Sequence, residues 1–277
     1  MESKELTIVI VTFKSDKKII NCLNSISSEI PVIVVENSNN ENFKKNLENR
    51  FRNVRCILSG ENKGYSIANN IGLKLVQSKY ALILNPDTIL DKNALKNFFN
   101  ALKLNKDFWL LGPANDQMVD IDFKENNQKE VNNLKGFAIF INMSKFNKVF
   151  FDENFFLFFE EIDLCKRVKI NGGKIFLDKN IFIKHEGASS VDEHYAFELE
   201  KNRNWHWMWS TFYFQKKYKG LLFASILILP KLLSALAKFL IYLLIFNHAK
   251  RDIYFCRLNG IFNSMIGRKS WYRPTLD

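Results

Sequence analysis

The sequence predicts an α/β fold, a doubly wound sheet followed by a C-terminal helical, membrane-associating extension. Three observations carry that expectation. Short β-branched runs alternate with helix-length segments from the start, hydrophobic residues make up 47% of the 277-residue chain, and one long apolar stretch lies toward the C-terminal end. Alternation of this kind belongs to parallel sheets, whose neighbouring strands need a crossover between them. A chain of this length and apolar content can bury a large core.

Taken in order, Thr7–Phe13, Pro31–Asn37, Arg55–Ser59, Tyr80–Asn85 and Trp109–Pro113 read as strands, because β-branched and apolar residues cluster there between turn formers. Between them Asp16–Glu29, Glu41–Arg50, Gly64–Gln77 and Asp91–Leu104 have helical length, with Ser15 or Asp16 and Asp91 as candidate N-caps. Residues 116–134 are polar and Asn-rich and read as an irregular crossover. Beyond them, Lys135–Asn142 reads as a strand, Glu160–Ile170 as a helix ended by Gly172 and Gly173, and Lys174–Lys184 as a strand delivering His185 to its end.

Residues 1–200 and 201–277 read as two regions, an α/β domain and a basic amphipathic helical membrane-association part. Leu221–Phe246 is overwhelmingly apolar, broken by Pro230 and carrying Lys231, Ser234 and Lys238 along one helical stripe. Two lysines in a span-length stretch favour an in-plane helix in the membrane interface or a re-entrant one; a true span and a buried core helix are the alternatives. Trp205, Trp207, Trp209, Phe212, Tyr213 and Phe214, then Lys216, Lys217 and Lys219, have the make-up of an interfacial anchor or of an aromatic core cluster.

Charge supports the same division. The net charge is +11, and residues 1–200 hold 27 basic and 27 acidic residues against 13 and 2 in 201–277. The first region is neutral and lacks a nucleic-acid-binding motif, so no nucleic-acid partner is expected and an anionic membrane surface is. Cys22, Cys56, Cys165 and Cys256 form no CxxC pair and no secretory signal precedes Leu6, which fits a reduced compartment and the cytoplasmic face of the cell membrane.

Ligands of open α/β sheets bind outside the carboxyl ends of the strands. Thr12, Glu36, Asn62-Lys63-Gly64 and Asn85-Pro86-Asp87 all fall there. Asp87 can hold a divalent cation against a diphosphate, although an Asp in this context also starts turns. Glu160, Glu161 and Asp163 follow the apolar run Phe155–Phe159, where desolvation and like-charge crowding raise a carboxylate pKa toward that of a general base; acids in a first helical turn also serve the helix dipole. His185, at a strand end, can ligate a metal or be a structural histidine. Gly64 would let backbone amides approach an anion, but neither the Walker nor the three-glycine dinucleotide pattern is present, which counts against a kinase or dehydrogenase.

TIVIVTFKS at 7–15, VVENS at 34–38, ENKGYSIANNIG at 61–72, LILNPDT at 82–88, FDENFFLFFEEIDLCKR at 151–167 and KHEGASS at 184–190 together resemble family 2 glycosyltransferases, in their rhamnosyltransferase-like branch. The resemblance implies a GT-A fold with a mixed sheet, a nucleotide-diphosphate sugar donor with dTDP-rhamnose favoured and UDP-hexoses next, a divalent metal (Mg²⁺ or Mn²⁺), and a glycan or polyprenyl-linked acceptor. It also implies that Thr12, Glu36, Asn62, Lys63, Gly64, Asn69 and Asn85 line the nucleotide pocket, that Asp87 and His185 hold the metal, and that Glu161 is the catalytic base with Glu160 beside it. The chain has Glu36 and Glu161 where the family usually has Asp, and one acid in its metal motif where two are common. A sugar-phosphate nucleotidyltransferase would need a Gly-rich basic loop after the first strand, and Thr12-Phe13-Lys14-Ser15 is not one. A catalytically silent sugar-nucleotide or lipid-binding module is the reading from another class.

Overall fold

A computed structural model describes residues 5–115, 123, 126–147, 149–186 and 195–274. They fall into two compact units, Met1–Asp152 with Glu161–Val191, and Glu153–Glu160 with Asp192–Asp277. Gly187–Ser190 of the KHEGASS block and His194 lie outside the described residues.

The first unit opens with β1 (Leu6–Thr12), α1 (Asp16–Asn24), β2 (Val32–Glu36), α2 (Glu41–Arg50), β3 (Val54–Leu58), α3 (Gly64–Lys74) and β4 (Tyr80–Leu84). It continues with β5 (Thr88–Leu90), α4 (Ala94–Leu104), β6 (Phe108–Pro113), β7 (Gln128–Glu130), β8 (Ala138–Asn142), α5 (Glu160–Ile170), β9 (Lys174–Asp178) and β10 (Ile183–His185). The main sheet runs β3-β2-β1-β4-β8-β6-β9-β7. Its first four strands are parallel, β8 is antiparallel to both β4 and β6, and β7 is antiparallel to β9, so the sheet is mixed.

Side chains alternate between the two faces of a strand. Leu6, Ile8 and Ile10 accordingly join Phe98 and Phe140 in one core, while Val9 joins Ile83, Ile139, Leu164 and Val168 in another. Both faces are covered, as a doubly wound sheet requires. A Cβ on Gly72 would stand 2.5 Å from Val9 Cγ1, so glycine sets how closely α3 lies on β1.

Beyond end shifts such as β8 starting at Ala138 and α3 stopping at Lys74, the elements depart from the sequence expectation at four places. Lys174–Lys184 is not one strand: Asp178 turns the chain by accepting the Asn180 amide on Oδ1 at 2.8 Å, and β9 and β10 belong to different sheets. Within the expected 116–134 crossover, Gln128–Glu130 pairs at the sheet edge, where a polar strand costs little burial. The first helix stops at Asn24 rather than Glu29, because Ser25 Oγ donates to the Cys22 carbonyl at 2.7 Å and closes the last turn. Asp91 does not cap a helix directly; its carboxylate accepts from the Asn93 amide at 3.0 Å in the turn before α4.

The second unit holds α6 (Ala196–Leu244) and α7 (His248–Met265). The first of these is two helices joined at Gly220, whose φ of 82° is a conformation glycine adopts without Cβ strain. Trp205, Met208, Trp209 and Phe212 are buried, and Gly260 of α7 leaves room for the backbone of Trp205. His206 is fully buried, with Nε2 2.8 Å from the Tyr272 carbonyl and Nδ1 2.8 Å from Ser270 Oγ. A carbonyl only accepts, so Nε2 carries the proton and the Ser270 hydroxyl donates to Nδ1. Burial pushes the His206 pKa down to about 3. Past Gly220, Ala224, Ile228 and Ala235 are buried, while Leu222, Leu244 and Phe246 are 72%, 76% and 78% exposed. Ala196–Leu244 is long and apolar enough to cross a membrane, and only 17% of its most apolar 18-residue window is buried.

Candidate active site

Strand order reverses around β1, which has β2 on one side and β4 on the other, and the crevice at such a switch point is where α/β sheets take ligands. Thr12, the last residue of β1, lies in register with Glu36, the last of β2. Thr12 is buried and its Oγ1 has no hydrogen-bond partner. Glu36 is turned into its own loop: one carboxylate oxygen accepts from the Ser38 amide at 2.9 Å and from the Ser38 hydroxyl, the other from the Asn40 amide at 2.7 Å.

Asn37, which the sequence reading passed over, organises the next loop. Its Oδ1 accepts from Ser59 Oγ and the Lys63 amide, both at 3.0 Å, and its Nδ2 donates to Asn62 Oδ1 at 3.1 Å. Asn62 Oδ1 in turn accepts from the Gly64 amide at 3.1 Å. The amides of Lys63 and Gly64 are therefore engaged within the loop rather than presented as a phosphate cradle. Gly64 starts α3 with φ +81°, the left-handed region that favours glycine. One turn on, Asn69 donates to the Tyr65 carbonyl at 3.0 Å, while Asn69 Oδ1 and Ser66 Oγ are buried without partners. Buried polar atoms are normally paired, and exceptions gather where a ligand or water binds.

Asp87 follows β4. Thr88 closes the turn by donating its hydroxyl to the Asn85 carbonyl at 2.7 Å, and the Asn85 amide donates to the Phe137 carbonyl at 2.9 Å. The short antiparallel pair β5 and β10 sets Thr88 opposite His185, and the Glu186 amide donates to the Asp87 carbonyl at 3.0 Å. His185 is thereby brought to Asp87, its Nε2 3.5 Å from Oδ1, and its ring stacks on Phe137 with centroids 4.7 Å apart. Two ligands at right angles on one octahedral cation, each about 2.1 Å away, lie about 3 Å apart, so this pair fits a shared Mg²⁺-type ion with a small adjustment. Among the described residues no group of three His, Cys, Asp or Glu could hold a metal, which leaves the other positions to phosphate oxygens and water. Lys18 of α1 pairs with Glu186 at 3.5 Å and puts a cation beside this turn; nothing in the sequence spacing marked it.

Glu161 lies beside Gly136, the residue before Phe137. A Cβ on Gly136 would meet the Glu161 Cβ and Cγ at 3.7 Å, so Glu161, Gly136, Phe137, His185 and Asp87 form one contiguous path. Tyr65 Oη donates to the Gly136 carbonyl at 2.7 Å and holds that strand start. Glu161 Oε2 is buried without a hydrogen-bond partner, and burial raises the pKa of the carboxyl, partly offset by the amides of Glu161 and Ile162. Glu160 is also buried, but neighbouring positions on a helix point about 100° apart. Asp163 is structural: it pairs with Arg167 at 2.7 Å, and Arg167 also donates to the Phe150 carbonyl. Just before α5, Phe158 and Phe159 both have φ +69°, a strain of about 1–3 kcal/mol each that bulky residues carry where surroundings enforce it.

A mixed doubly wound sheet, polar strand ends at its switch point, and an Asp–His pair linked through Phe137 and Gly136 to a buried acid define a nucleotide-diphospho-sugar transferase fold of the GT-A type. The chain belongs to glycosyl transferase family 2, whose sequence profile matches residues 7–164. It is 26% identical to the low-salt glycan biosynthesis hexosyltransferase Agl10 of Haloferax volcanii, over 60% of this chain and 62% of that one. It is 27% identical to a teichoic acid poly(glycerol phosphate) polymerase of Staphylococcus epidermidis, over 43% of this chain and 18% of that one. The chain thus spans less than two thirds of either relative. Among solved structures, S. aureus TarS 1-349 matches with a TM-score of 0.55 at 15% identity, covering 97% of this chain and 93% of that one. GalNAc-T7 with UDP, GalNAc and Mn²⁺ matches with a TM-score of 0.56 at 9% identity, covering 68% and 44%.

Proposed function

We propose that the chain is an inverting glycosyltransferase that moves a sugar from a nucleotide diphosphate to a glycan, in the synthesis of a cell-surface polymer. The observation that carries the reading is the path from Asp87 and His185 through Phe137 and Gly136 to Glu161. In it, a metal-ligating pair and a base of raised pKa serve one substrate. The names of the two relatives, a glycan biosynthesis hexosyltransferase and a teichoic acid poly(glycerol phosphate) polymerase, support the class.

The Glu161 carboxylate takes the proton of an acceptor hydroxyl, and that oxygen attacks the anomeric carbon. The bond from that carbon to the diphosphate breaks on the opposite face, the nucleoside diphosphate leaves, and one displacement inverts the anomeric configuration. Asp87 and His185 would hold Mg²⁺ or Mn²⁺, which neutralises charge on the departing diphosphate. Asn62 and Lys63, with Thr12, Asn69 and Asn85, face the nucleotide, while Glu36 shapes the pocket through Ser38 and Asn40. Glu161 is the base in this reading, and Glu160 lies beside it on the helix.

The acceptor is lipid-linked and the protein works at the cytoplasmic face of the membrane, an assignment supported by the exposed apolar helix beyond Gly220 and the basic charge of its region. The family resemblance favours dTDP-rhamnose as donor, with UDP-hexoses next. A thermal-shift screen of dTDP-rhamnose, UDP-glucose, UDP-galactose and UDP-N-acetylglucosamine with Mg²⁺ or Mn²⁺ tests the reading. One donor should raise the melting temperature in the presence of metal only; a chain stabilised by none of them is not such an enzyme.

A further inference from the structure

We infer that Phe158, Phe159, Trp207 and Lys231 form the acceptor site, with Lys231 holding the phosphate of a lipid-linked acceptor, the rings taking its first sugar, and the apolar helix surface beyond Lys231 taking its hydrocarbon chain. The inference rests on the glycosyl-transfer reading above and gives its acceptor a place in the fold. The indole of Trp207 is 41% exposed. Phe158 meets it edge-on at 5.3 Å and Phe159 obliquely at 5.4 Å. Lys231 Nζ lies 5.9 Å from the centre of the same indole, and among the described residues no carboxylate pairs with it.

Each feature answers to one part of an amphiphilic sugar phosphate. Partly exposed aromatic faces suit the C–H face of a pyranose, much as they suit other flat or cationic groups. Lys231, with Ile226, Leu227, Leu229 and Leu233 exposed around it and Lys238 the next cation two turns on, sits where a phosphate joins a sugar to a hydrocarbon chain. Phe158 and Phe159 both hold left-handed backbone, and such outliers cluster at ligand clamps. Phe159 precedes Glu161 by two residues, so covalent geometry alone keeps their Cα atoms within about 8 Å. Adhesion to a bilayer requires neither the paired left-handed phenylalanines nor a lysine aimed at an indole.

The test uses the full chain in detergent micelles and two probes, farnesyl diphosphate and its N-acetylglucosaminyl derivative, with binding read by equilibrium dialysis. The wild type should bind both, the sugar-bearing probe more tightly. Lys231→Met should weaken both about tenfold, the scale of losing one charge-assisted contact. Trp207→Ala should abolish the advantage of the sugar. Lys231 is exposed, so its replacement leaves the packing intact. Flotation with phosphatidylglycerol vesicles should change less than twofold in Lys231→Met; a parallel loss there would mean that the lysine binds headgroups in general and would overturn the inference. Wild-type affinity in both variants, or no binding by the wild type, would overturn it as well. UDP binding with Mn²⁺, followed alongside, separates the two readings: if the wild type binds UDP but neither prenyl probe, the acceptor site falls and the donor site stands.

Discussion

Glu161 carries the most consequential single-residue claim. Its raised pKa means that the folded protein keeps this proton to higher pH than the unfolded chain does, so stability falls as pH rises through the ordinary carboxylate range. If Glu161 is the base, activity should follow the opposite course, because only its deprotonated form can accept a proton. The acid limb of the pH–rate profile should therefore lie above the usual carboxylate value. Glu161→Gln should remove transfer, raise the melting temperature at neutral pH, and leave nucleotide affinity within about twofold, since an uncharged group no longer pays for burial. Transfer at the wild-type rate in that variant would remove Glu161 from the mechanism. Asn37→Ala strips two donors of their acceptor and should cost about 1–3 kcal/mol in urea denaturation, well above a surface substitution. Asp87 and His185 could be proposed from the sequence because each follows an apolar run, and Glu161 because the family resemblance selects it from the acids that follow Phe155–Phe159. Asn37, Gly136 and Lys18 could not, since their roles arise from partners distant in the chain, such as Glu186 for Lys18.

At the scale of elements, the order and type of strands and helices up to β4 were legible because hydrophobic period and turn residues agreed, while the C-terminal ends of α1 and α3 were not. The reading failed where one local signal had two outcomes. The apolar alternation through Ile175–Ile183 hid the turn at Asp178, whose side chain also accepts from Gln128 Nε2 at 3.0 Å. That turn matters, because β10 must leave the main sheet to pair with β5 and set His185 at Asp87. The polar edge strand β7 gave no hydrophobic signal at all. In the second unit, His206 had no sequence context, yet it fastens Ser270 and Tyr272 to α6. Its folded pKa of about 3 lies below its ordinary 6.5, so the unfolded chain binds the extra proton first as pH falls. Stability from this group is therefore full above the ordinary value and is lost progressively toward the folded one. Acid denaturation of the full chain should show a loss on the order of 1 kcal/mol per pH unit in that window, and His206→Gln should flatten it. An unchanged pH dependence would mean that another group controls the acid limb.

At the scale of the whole molecule, charge divides the sequence into a neutral part, residues 1–200, and a basic part, residues 201–277, whereas the two compact units divide the chain elsewhere and put residues 153–160 in the second, which nothing in the composition marks. Replacing Leu222, Leu227, Leu233 and Leu240 together with Glu should abolish flotation with anionic vesicles, because exposed apolar area and basic charge act together in interfacial binding. Undiminished flotation would place the membrane contact elsewhere. The claim on which the account turns is that Asp87 and His185 bind a nucleotide diphosphate through a divalent metal, beside a base that is not needed for binding. Calorimetric titration of UDP and dTDP into the wild type, Asp87→Ala and Glu161→Gln, each with and without Mn²⁺, tests it most directly. The wild type and Glu161→Gln should bind one of the two nucleotides in a metal-dependent way, and Asp87→Ala should lose at least about tenfold in affinity. Binding that ignores the metal, or that survives intact in Asp87→Ala, would contradict the account.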